Sequence, residues 1–183
     1  MFSRTHQTEN ANSEHHGIGT SQLITSDLLL LPELSASIHV FQCWLRHLSV
    51  DIFKDLVNLI ELDLSDNIVT SLPNDIFISL THLTLLNIKG NRVMAISDKV
   101  LRPLHYMRQL TIGSNMHMNL TLGDEFLNMT QLTHLVLSNI KLPSLNSDNF
   151  RQLRHCPLVE VDMSRCHITS VQTAAQPYRG ITT

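Results

Sequence analysis

The sequence predicts a solenoid of the α/β class, a stack of similar coils that share one parallel β-sheet, and three observations lead to this fold class. Apolar residues recur with a period of about 24 residues, and each period opens with a short alternation of apolar and polar residues. An asparagine or cysteine follows most of these alternations at a fixed distance. Periods of roughly 20 to 50 residues are typical of repeat architectures, in which each unit packs against its neighbours.

Six units cover residues 35–172. They begin near positions 35, 59, 83, 107, 132 and 158, so the first three steps are 24 residues and the last two are 25 and 26. Residues 1–34 are mostly unassigned, although "ITSDLLLLPEL" from residue 24 is a possible second half of an earlier, degenerate unit. Residues 173–183 form a tail or a truncated repeat. Because the pattern is lost at both ends, we expect the chain to be a piece of a longer one.

Each unit opens with a short strand. In "LIELDLSDN", residues 59–67, alternation directs Leu62 and Leu64 into one layer, while Glu61, Asp63 and Ser65 face outward. Strands of this kind, stacked side by side, form a parallel sheet with one solvent-facing side.

A polar column follows the strands. The asparagine amide has two donors and an acceptor, so it can satisfy backbone groups that the turn leaves inside the coil. Ile140 interrupts the column, and the turn there must either use Asn139 or depend on neighbouring coils. We expect a structural ladder of Cys43, Asn67, Asn91, Asn115 and Cys166.

A second column is aromatic. Phe53, Phe77, Phe126 and Phe150 occupy one position of the repeat. We interpret them as core on the wider side of each coil rather than as the wall of a cofactor pocket, and we expect no cofactor.

The spacing L-x-x-L-x-L-x-x-N/C-x-L, followed by "xxLPxxxFxxL", resembles the typical extracellular subclass of the leucine-rich repeat. That resemblance implies a curved solenoid, with the sheet on its concave face and irregular, short 3-10 or helical turns on its convex face. "DNFRQLRHCPLVEVDMSRCHITSV", residues 148–171, is similar to Toll-like receptor ectodomains, whose repeats vary in length in this way.

This resemblance implies a ligand-sensing ectodomain of innate immunity that dimerises on ligand and signals through a membrane helix and a cytoplasmic domain. The expected partners are a protein or microbial ligand on the concave face and a possible second receptor. No ligand-binding residue can be transferred, because the repeat motif does not encode one. The alternative is a secreted or matrix-associated adhesion protein of the same fold, which paired cysteine caps and no membrane segment in the full chain would favour.

Composition excludes some other classes. The net charge of −3 does not indicate nucleic-acid binding, and the longest aliphatic run, Leu28 to Leu31, is too short to span a membrane. No catalytic motif appears at a useful spacing, so we predict no enzyme activity. "SEHH" at residues 13–16 is more typical of a solvated tail than of a metal site, and we predict none.

Three cysteines, Cys43, Cys156 and Cys166, cannot all pair with one another. Cys43 and Cys166 lie five coils apart, beyond the reach of a disulfide, so we expect buried free thiols there. Cys156 is also interpreted as structural, and its neighbour His155 should point to the opposite side.

Two sequons begin at Asn119 and Asn128, on the turn after a strand and on the convex side respectively. Together with the extracellular type of repeat they favour the outer side of the plasma membrane or secretion, although no signal peptide is present in this sequence. The eleven histidines leave open an acid-dependent binding step, but scattered surface histidines are the simpler interpretation.

The outward strand positions are the predicted binding surface, because solenoids bind through such faces. Their mixed charge suits protein recognition better than phosphate recognition. The candidates are His39, Phe41, Glu61, Asp63, Asp66, Asn87, Lys89, Gln109, Thr111, His134, Val136, Glu160, Asp162 and Arg165.

Overall fold

The computed structural model describes residues 22–23, 36–118, 120, 124–142, 144–145 and 151–171. Its strands are very short, two or three residues each, and they recur once or twice per coil. They are β1 (Gln22–Leu23), β2 (Ser37–His39), β3 (His47–Leu48), β4 (Glu61–Asp63), β5 (Leu85–Asn87), β6 (Gln109–Thr111), β7 (His134–Val136), β8 (Ser144–Leu145), β9 (Glu160–Asp162) and β10 (Ser170–Val171).

One six-stranded parallel sheet, in the order β2-β4-β5-β6-β7-β9, runs along the molecule. Its register repeats the period of the sequence: the step is 24 residues from β2 to β6, then 25 to β7 and 26 to β9. Two smaller parallel pairs, β1 with β3 and β8 with β10, lie elsewhere on the coils. The predicted solenoid with one parallel sheet is therefore confirmed.

The alternation within each strand sorts side chains between core and solvent. Leu62, Leu86, Leu110 and Leu135 at the strand centres are fully buried, while their flanking residues are mostly half-buried or exposed. A second buried layer follows directly after the strands, at Leu64, Ile88, Ile112 and Leu137.

The phenylalanine column lies on the other side of the coil, as predicted. Phe53, Phe77 and Phe126 are buried, and the rings of Phe53 and Phe77 stack with their centroids 5.9 Å apart. Leu101 takes this position in the third unit and is also buried. Phe150 lies outside the described residues.

Short helical turns complete the coils opposite the sheet. They are α1 (Asp98–Leu101) and two 3-10 helices, Asp124–Asn128 and Gln152–His155, in contact with one another along the stack. In α1 the first-turn Asp98 also pairs with Arg102. In the described part of the chain no helix has the length and apolarity needed to cross a membrane.

The asparagine ladder, Asn67, Asn91 and Asn115, joins neighbouring coils. Asn67 Nδ2 donates to the carbonyls of Leu64 and Ser65 in its own coil and of Val40 in the previous coil. Its Oδ1 accepts the backbone N–H groups of Cys43 and Leu45, also in the previous coil. Asn91 and Asn115 repeat the three donor bonds one and two coils further on, and the Oδ1 of each accepts one backbone N–H of the previous coil.

Ile140 cannot form the hydrogen bonds of the ladder, and neighbouring coils bond to the backbone there instead. Ile140 is buried, and the Asn139 amide does not replace the ladder, because it reaches Ser114 Oγ at 3.5 Å instead. In the preceding coil, Met118 N–H turns back to the carbonyl of Asn115. The carbonyl of Leu137 receives the thiol of Cys166 at 3.1 Å. Of the two alternatives left open by the sequence, reliance on neighbours is the correct one.

Cys166 takes the place of an asparagine in the ladder, whereas Cys43 does so only in part. Cys166 is buried and its thiol reaches the previous coil. Cys43 is exposed, and its thiol bonds only to the carbonyl of Phe41 in its own coil, so the prediction of a buried thiol at Cys43 was wrong. The reason is its place in the first coil of the six-stranded sheet, where no described strand of that sheet lies on its outer side.

The sixth coil is less buried than the pattern predicted. Val161 and Met163 are only partly buried, and Ile168 and Val171 are exposed. A coil buries its inner layer against neighbours on both sides. Within the described residues, the sheet ends at β9 and the sixth coil is covered from one side only.

Candidate ligand-binding face

The sheet face is formed by the outward side chains of β2, β4 to β7 and β9 and by the residues that immediately follow each strand. Of the fourteen predicted candidates, all but one are exposed or half-buried there. The exception is Thr111, which is 8% exposed. It lies at the end of β6, between Asn87 and Val136 on the two neighbouring strands, and the expectation of an exposed side chain there was wrong.

Several polar side chains on this face are fixed by hydrogen bonds. Asp63 accepts the backbone N–H of Ser65 at 2.8 Å on one oxygen and the amide of Asn87 at 3.1 Å on the other. Asn87 in turn accepts the N–H of Lys89 at 3.1 Å. Asp162 accepts the N–H of Ser164 at 2.8 Å. Preorganised polar groups of this kind lower the ordering cost of binding a partner.

The acidic end of the sheet face lies on β2 and β4. Glu61 Oε1 is 3.5 Å from His39 Nε2, and Glu61 Oε2 accepts the hydroxyl of Ser37 at 3.2 Å. Asp63 and Asp66 lie in the same coil as Glu61. The aromatic ring of Phe41 is nearly half exposed at this end.

A column of left-handed residues follows the strands and sets the direction of the next side chains. One residue per coil, directly before each ladder position, has a positive φ between 54° and 69°: Gln42, Asp66, Gly90, Ser114, Asn139 and Arg165. Positive φ is uncommon for residues other than glycine. Here it is stabilised by hydrogen bonds between coils, because the N–H groups of the first five residues of this column donate to carbonyls of the next coil at 2.7 to 3.2 Å.

The two cysteine coils have a second left-handed residue, Trp44 or His167, directly after the cysteine. In an asparagine coil, Val69 N–H donates to the side-chain oxygen of Asn91 at 3.0 Å. At the equivalent place near Cys166, Leu142 N–H donates to the backbone carbonyl of that cysteine at 3.2 Å. The backbone therefore supplies the acceptor that a thiol lacks.

A shallow depression of about 390 Å³ lies at the carboxyl ends of β5, β6, β7 and β9. We call it the Lys89–Arg165 depression. Its lining is entirely polar or charged and comprises Lys89, Ser114, Ser138, Asn139, Asp162, Ser164 and Arg165. It brings together side chains from four coils that are far apart in the sequence.

Gly113 shapes the centre of this region. A side-chain carbon at this position would lie 2.7 Å from the carbonyl oxygen of Ser138 and 2.9 Å from its hydroxyl. The absence of a side chain lets the backbones of the fourth and fifth coils approach closely and leaves the Ser138 hydroxyl accessible from the depression.

The Asp162 carboxylate is the acidic group of the depression. The backbone and side-chain hydrogen bonds from Ser164 lower the pKa of Asp162, and further contributions come from Ser138 and the charge of Lys89. Asp162 therefore stays ionised at neutral pH.

Three of these lining residues, Lys89, Asp162 and Arg165, are among the candidates predicted from the sequence. The other four, Ser114, Ser138, Asn139 and Ser164, are not among them. Ser138 and Ser164 align with Lys89 two residues beyond the end of the strand, and Ser114 and Asn139 align with Arg165 directly before the ladder position. The signal that would have found them is this alignment, combined with the lack of a side chain at Gly113.

The three cysteine thiols are poor candidates for catalytic nucleophiles. All three cysteines are free, and burial raises the pKa of the Cys156 thiol, which donates to the carbonyl of Phe126. Cys43 is exposed, and the partial desolvation of its thiol also raises its pKa. His155 is exposed and contacts Arg154 rather than Cys156. No cluster of metal-ligating side chains occurs among the residues that the structure describes, and "SEHH" lies outside them.

The two predicted sequons differ in what the structure describes. Asn128 ends a 3-10 helix opposite the sheet, and both it and Thr130 are exposed. Asn119 lies outside the described residues.

Comparison with known proteins agrees with this geometry. The sequence profile of the leucine rich repeat matches residues 37–93 and 58–116. The fold of this chain is that of a leucine-rich repeat solenoid. No sequence among the curated proteins matches it.

Two solved structures share the fold. The crystal structure of a TLR13–ssRNA13 complex superposes with a TM-score of 0.67 and 23% identity, covering 82% of this chain and 21% of that one. The leucine-rich repeat domain of APL1B superposes with a TM-score of 0.66 and 23% identity, covering 83% of this chain and 42% of that one. The chain therefore spans well under half of either neighbour, and the similarity is one of fold, in keeping with a module that binds proteins or other ligands.

Proposed function

We propose that this leucine-rich repeat chain is a ligand-binding segment of a Toll-like innate immune receptor ectodomain and that it binds through its sheet face. The observation that supports this most directly is the contrast between the two sides of the coils. The described side opposite the sheet includes a regular phenylalanine column, whereas the polar side chains on the sheet face differ from coil to coil, and several of them are fixed by hydrogen bonds. Variation on a rigid frame is typical of recognition surfaces.

The proposed ligand is a protein or a microbial molecule with protein-like chemistry. One structural neighbour is a complex with ssRNA. Single-stranded nucleic acid is bound by positive grooves with aromatic platforms. The candidate residues of this sheet face instead include five carboxylates against Lys89 and Arg165, namely Glu61, Asp63, Asp66, Glu160 and Asp162. The charge pattern therefore favours a partner other than RNA.

We place the protein outside the cell. The exposed sequon at Asn128 and the two structural neighbours support this assignment. A receptor dimer partner belongs to the same proposal, as does an upstream segment that directs export.

The experiment that tests the receptor assignment is to read the transcript in both directions from these 183 codons. We expect a signal peptide upstream and, downstream, a cysteine-rich cap, one apolar span of about 20 residues and a cytoplasmic signalling domain. Cysteine caps without any membrane span would contradict the receptor proposal in favour of a secreted adhesion protein. A transcript with neither export signal nor membrane span would contradict both.

A further inference from the structure

We propose that the Lys89–Arg165 depression binds the carboxylate of an acidic segment on a protein partner. This inference deepens the proposed function and rests on it only in taking the sheet face as the binding surface. Three features of the depression support it: the two cations, the hydroxyl and amide groups between them, and the single acidic group that limits how much negative charge the depression accepts.

The two cations flank the depression and are not neutralised by ion pairs. Among the described residues, the ion pairs are His39 with Glu61 and Arg102 with Asp98. Lys89 approaches from the third coil and Arg165 from the sixth, and both side chains are exposed. Lys89 acts on the Asp162 carboxylate only through its charge. Both cations are therefore available to an anion that enters from solvent.

Hydrogen-bond donors lie between the cations. The Ser114 hydroxyl and the Asn139 amide line the depression as donors for an entering anion, whereas the Ser138 and Ser164 hydroxyls already bond to the Asp162 carboxylate. A hydroxyl can donate to an incoming carboxylate oxygen, and hydrogen bonds to charged acceptors are stronger than those between neutral groups. A carboxylate placed between Lys89 and Arg165 would therefore meet donors as well as charge.

Asp162 sets the charge of the preferred ligand. Its carboxylate stays ionised and accepts the N–H of Ser164, so the depression has two positive groups and one negative group. The resulting single net positive charge matches a carboxylate better than the repeated charges of a nucleic-acid backbone, which require several cations.

The shape of the depression favours a group carried by a larger partner. Sites for free small molecules are usually enclosed and mostly apolar, whereas all seven residues that line this depression are polar or charged and the depression is open to solvent. The acidic coil at Glu61, Asp63 and Asp66 lies next to the coil that supplies Lys89. A partner with a basic group beside an acidic one would match both regions, and this complementarity would fix its orientation.

The test adds the full chain in increasing amounts to a fluorescein-labelled peptide of alternating glutamate and serine. Binding is measured by fluorescence polarisation at low ionic strength. A matched peptide of alternating lysine and serine measures general electrostatic attraction. We expect the acidic peptide to bind more tightly than the basic one, although the whole chain has a net charge of −3. Added salt should weaken this binding, because both cations are exposed.

Paired variants locate the binding. The double variant Lys89→Gln, Arg165→Gln should weaken binding of the acidic peptide at least about fivefold. The matched control, Arg46→Gln with Lys54→Gln, removes one arginine and one lysine from exposed positions of the first coil and should stay within about twofold of the unaltered chain. Circular dichroism verifies that both variants are folded.

Three outcomes would overturn the proposal. They are the absence of saturable binding to the acidic peptide, an equal loss in both double variants, and tighter binding of single-stranded poly(U) than of the acidic peptide at Lys89 and Arg165. None of these outcomes depends on what the transcript encodes beyond this chain. Failure of the acidic-group assignment is therefore distinguishable from failure of the receptor assignment.

Discussion

At the scale of single residues, each asparagine of the ladder bonds to backbone groups of two coils at once. Asn91 donates to carbonyls of Leu64, Ile88 and Lys89 and accepts the N–H of Val69. These groups are buried, so no water can replace the amide if it is removed. The ladder therefore determines both the shape of the turn and the attachment of one coil to the next.

Replacing Asn91 by leucine should destabilise the full chain by about 1 to 3 kcal/mol, because the substitution leaves buried backbone groups unpaired. Chemical denaturation followed by circular dichroism measures the change. Asn58→Leu is the matched control, since Asn58 is exposed, and it should change stability by less than about 0.5 kcal/mol. Equal unfolding midpoints for the two variants would refute this account of the ladder.

Residue-scale features were predictable from the sequence only where they repeat. The amide at Asn67 recurs at Asn91 and Asn115, so its structural role followed from its spacing. The exposure of Cys43 did not, because burial depends on whether another coil lies beside the residue. The sequence left two alternatives for the turn around Ile140 for the same reason, because its hydrogen bonding depends on the neighbouring coils.

At the scale of the elements, the three-residue strand of each of the first five coils is followed by a left-handed residue whose N–H donates to the next coil. Gly90 and Gly113 follow neighbouring strands but have different roles. Gly90 has a φ of 69°, and the nearest obstacle to a side chain there is the carboxylate of Asp66, which can rotate away. At Gly113 the nearest obstacle is the backbone carbonyl of Ser138, which cannot.

Gly113→Ala should therefore cost more than Gly90→Asn. We expect about 1 to 3 kcal/mol for the alanine, from overpacking against backbone, and less than about 1 kcal/mol for the asparagine, which tolerates left-handed φ. Asp66 and Asn139 already occupy this conformation in other coils. Thermal unfolding of both variants tests the order, and a greater loss for Gly90→Asn would contradict it.

The strands and their registers were predictable because alternation and period are both present in the sequence. The left-handed column was not, since glutamine, aspartate, glycine, serine, asparagine and arginine share that position. The Lys89–Arg165 depression combines this column with the outward strand positions, and only stacking of the coils brings its seven lining residues together.

At the scale of the whole molecule, one long parallel sheet presents a continuous polar face. The acidic coil at Glu61, Asp63 and Asp66 precedes the Lys89–Arg165 depression along the stack. Gln109 lies near the middle of this face, on β6, and its side chain is exposed. A bulky group attached there would block access from both sides.

The most direct test of the sheet face as the binding surface is to attach a glycan to it. Gln109→Asn completes a sequon with Thr111 on the sheet face, and Ala95→Asn completes one with Ser97 on the exposed loop that leads to α1. Each full-length glycoform, verified by mass, is compared with the unaltered chain for binding of peptides selected on that chain from a random phage library.

We predict that most selected peptides lose binding to the Gln109→Asn glycoform and retain it with the Ala95→Asn glycoform. Equal retention by both glycoforms, or a greater loss with Ala95→Asn, would contradict the assignment of recognition to the sheet face.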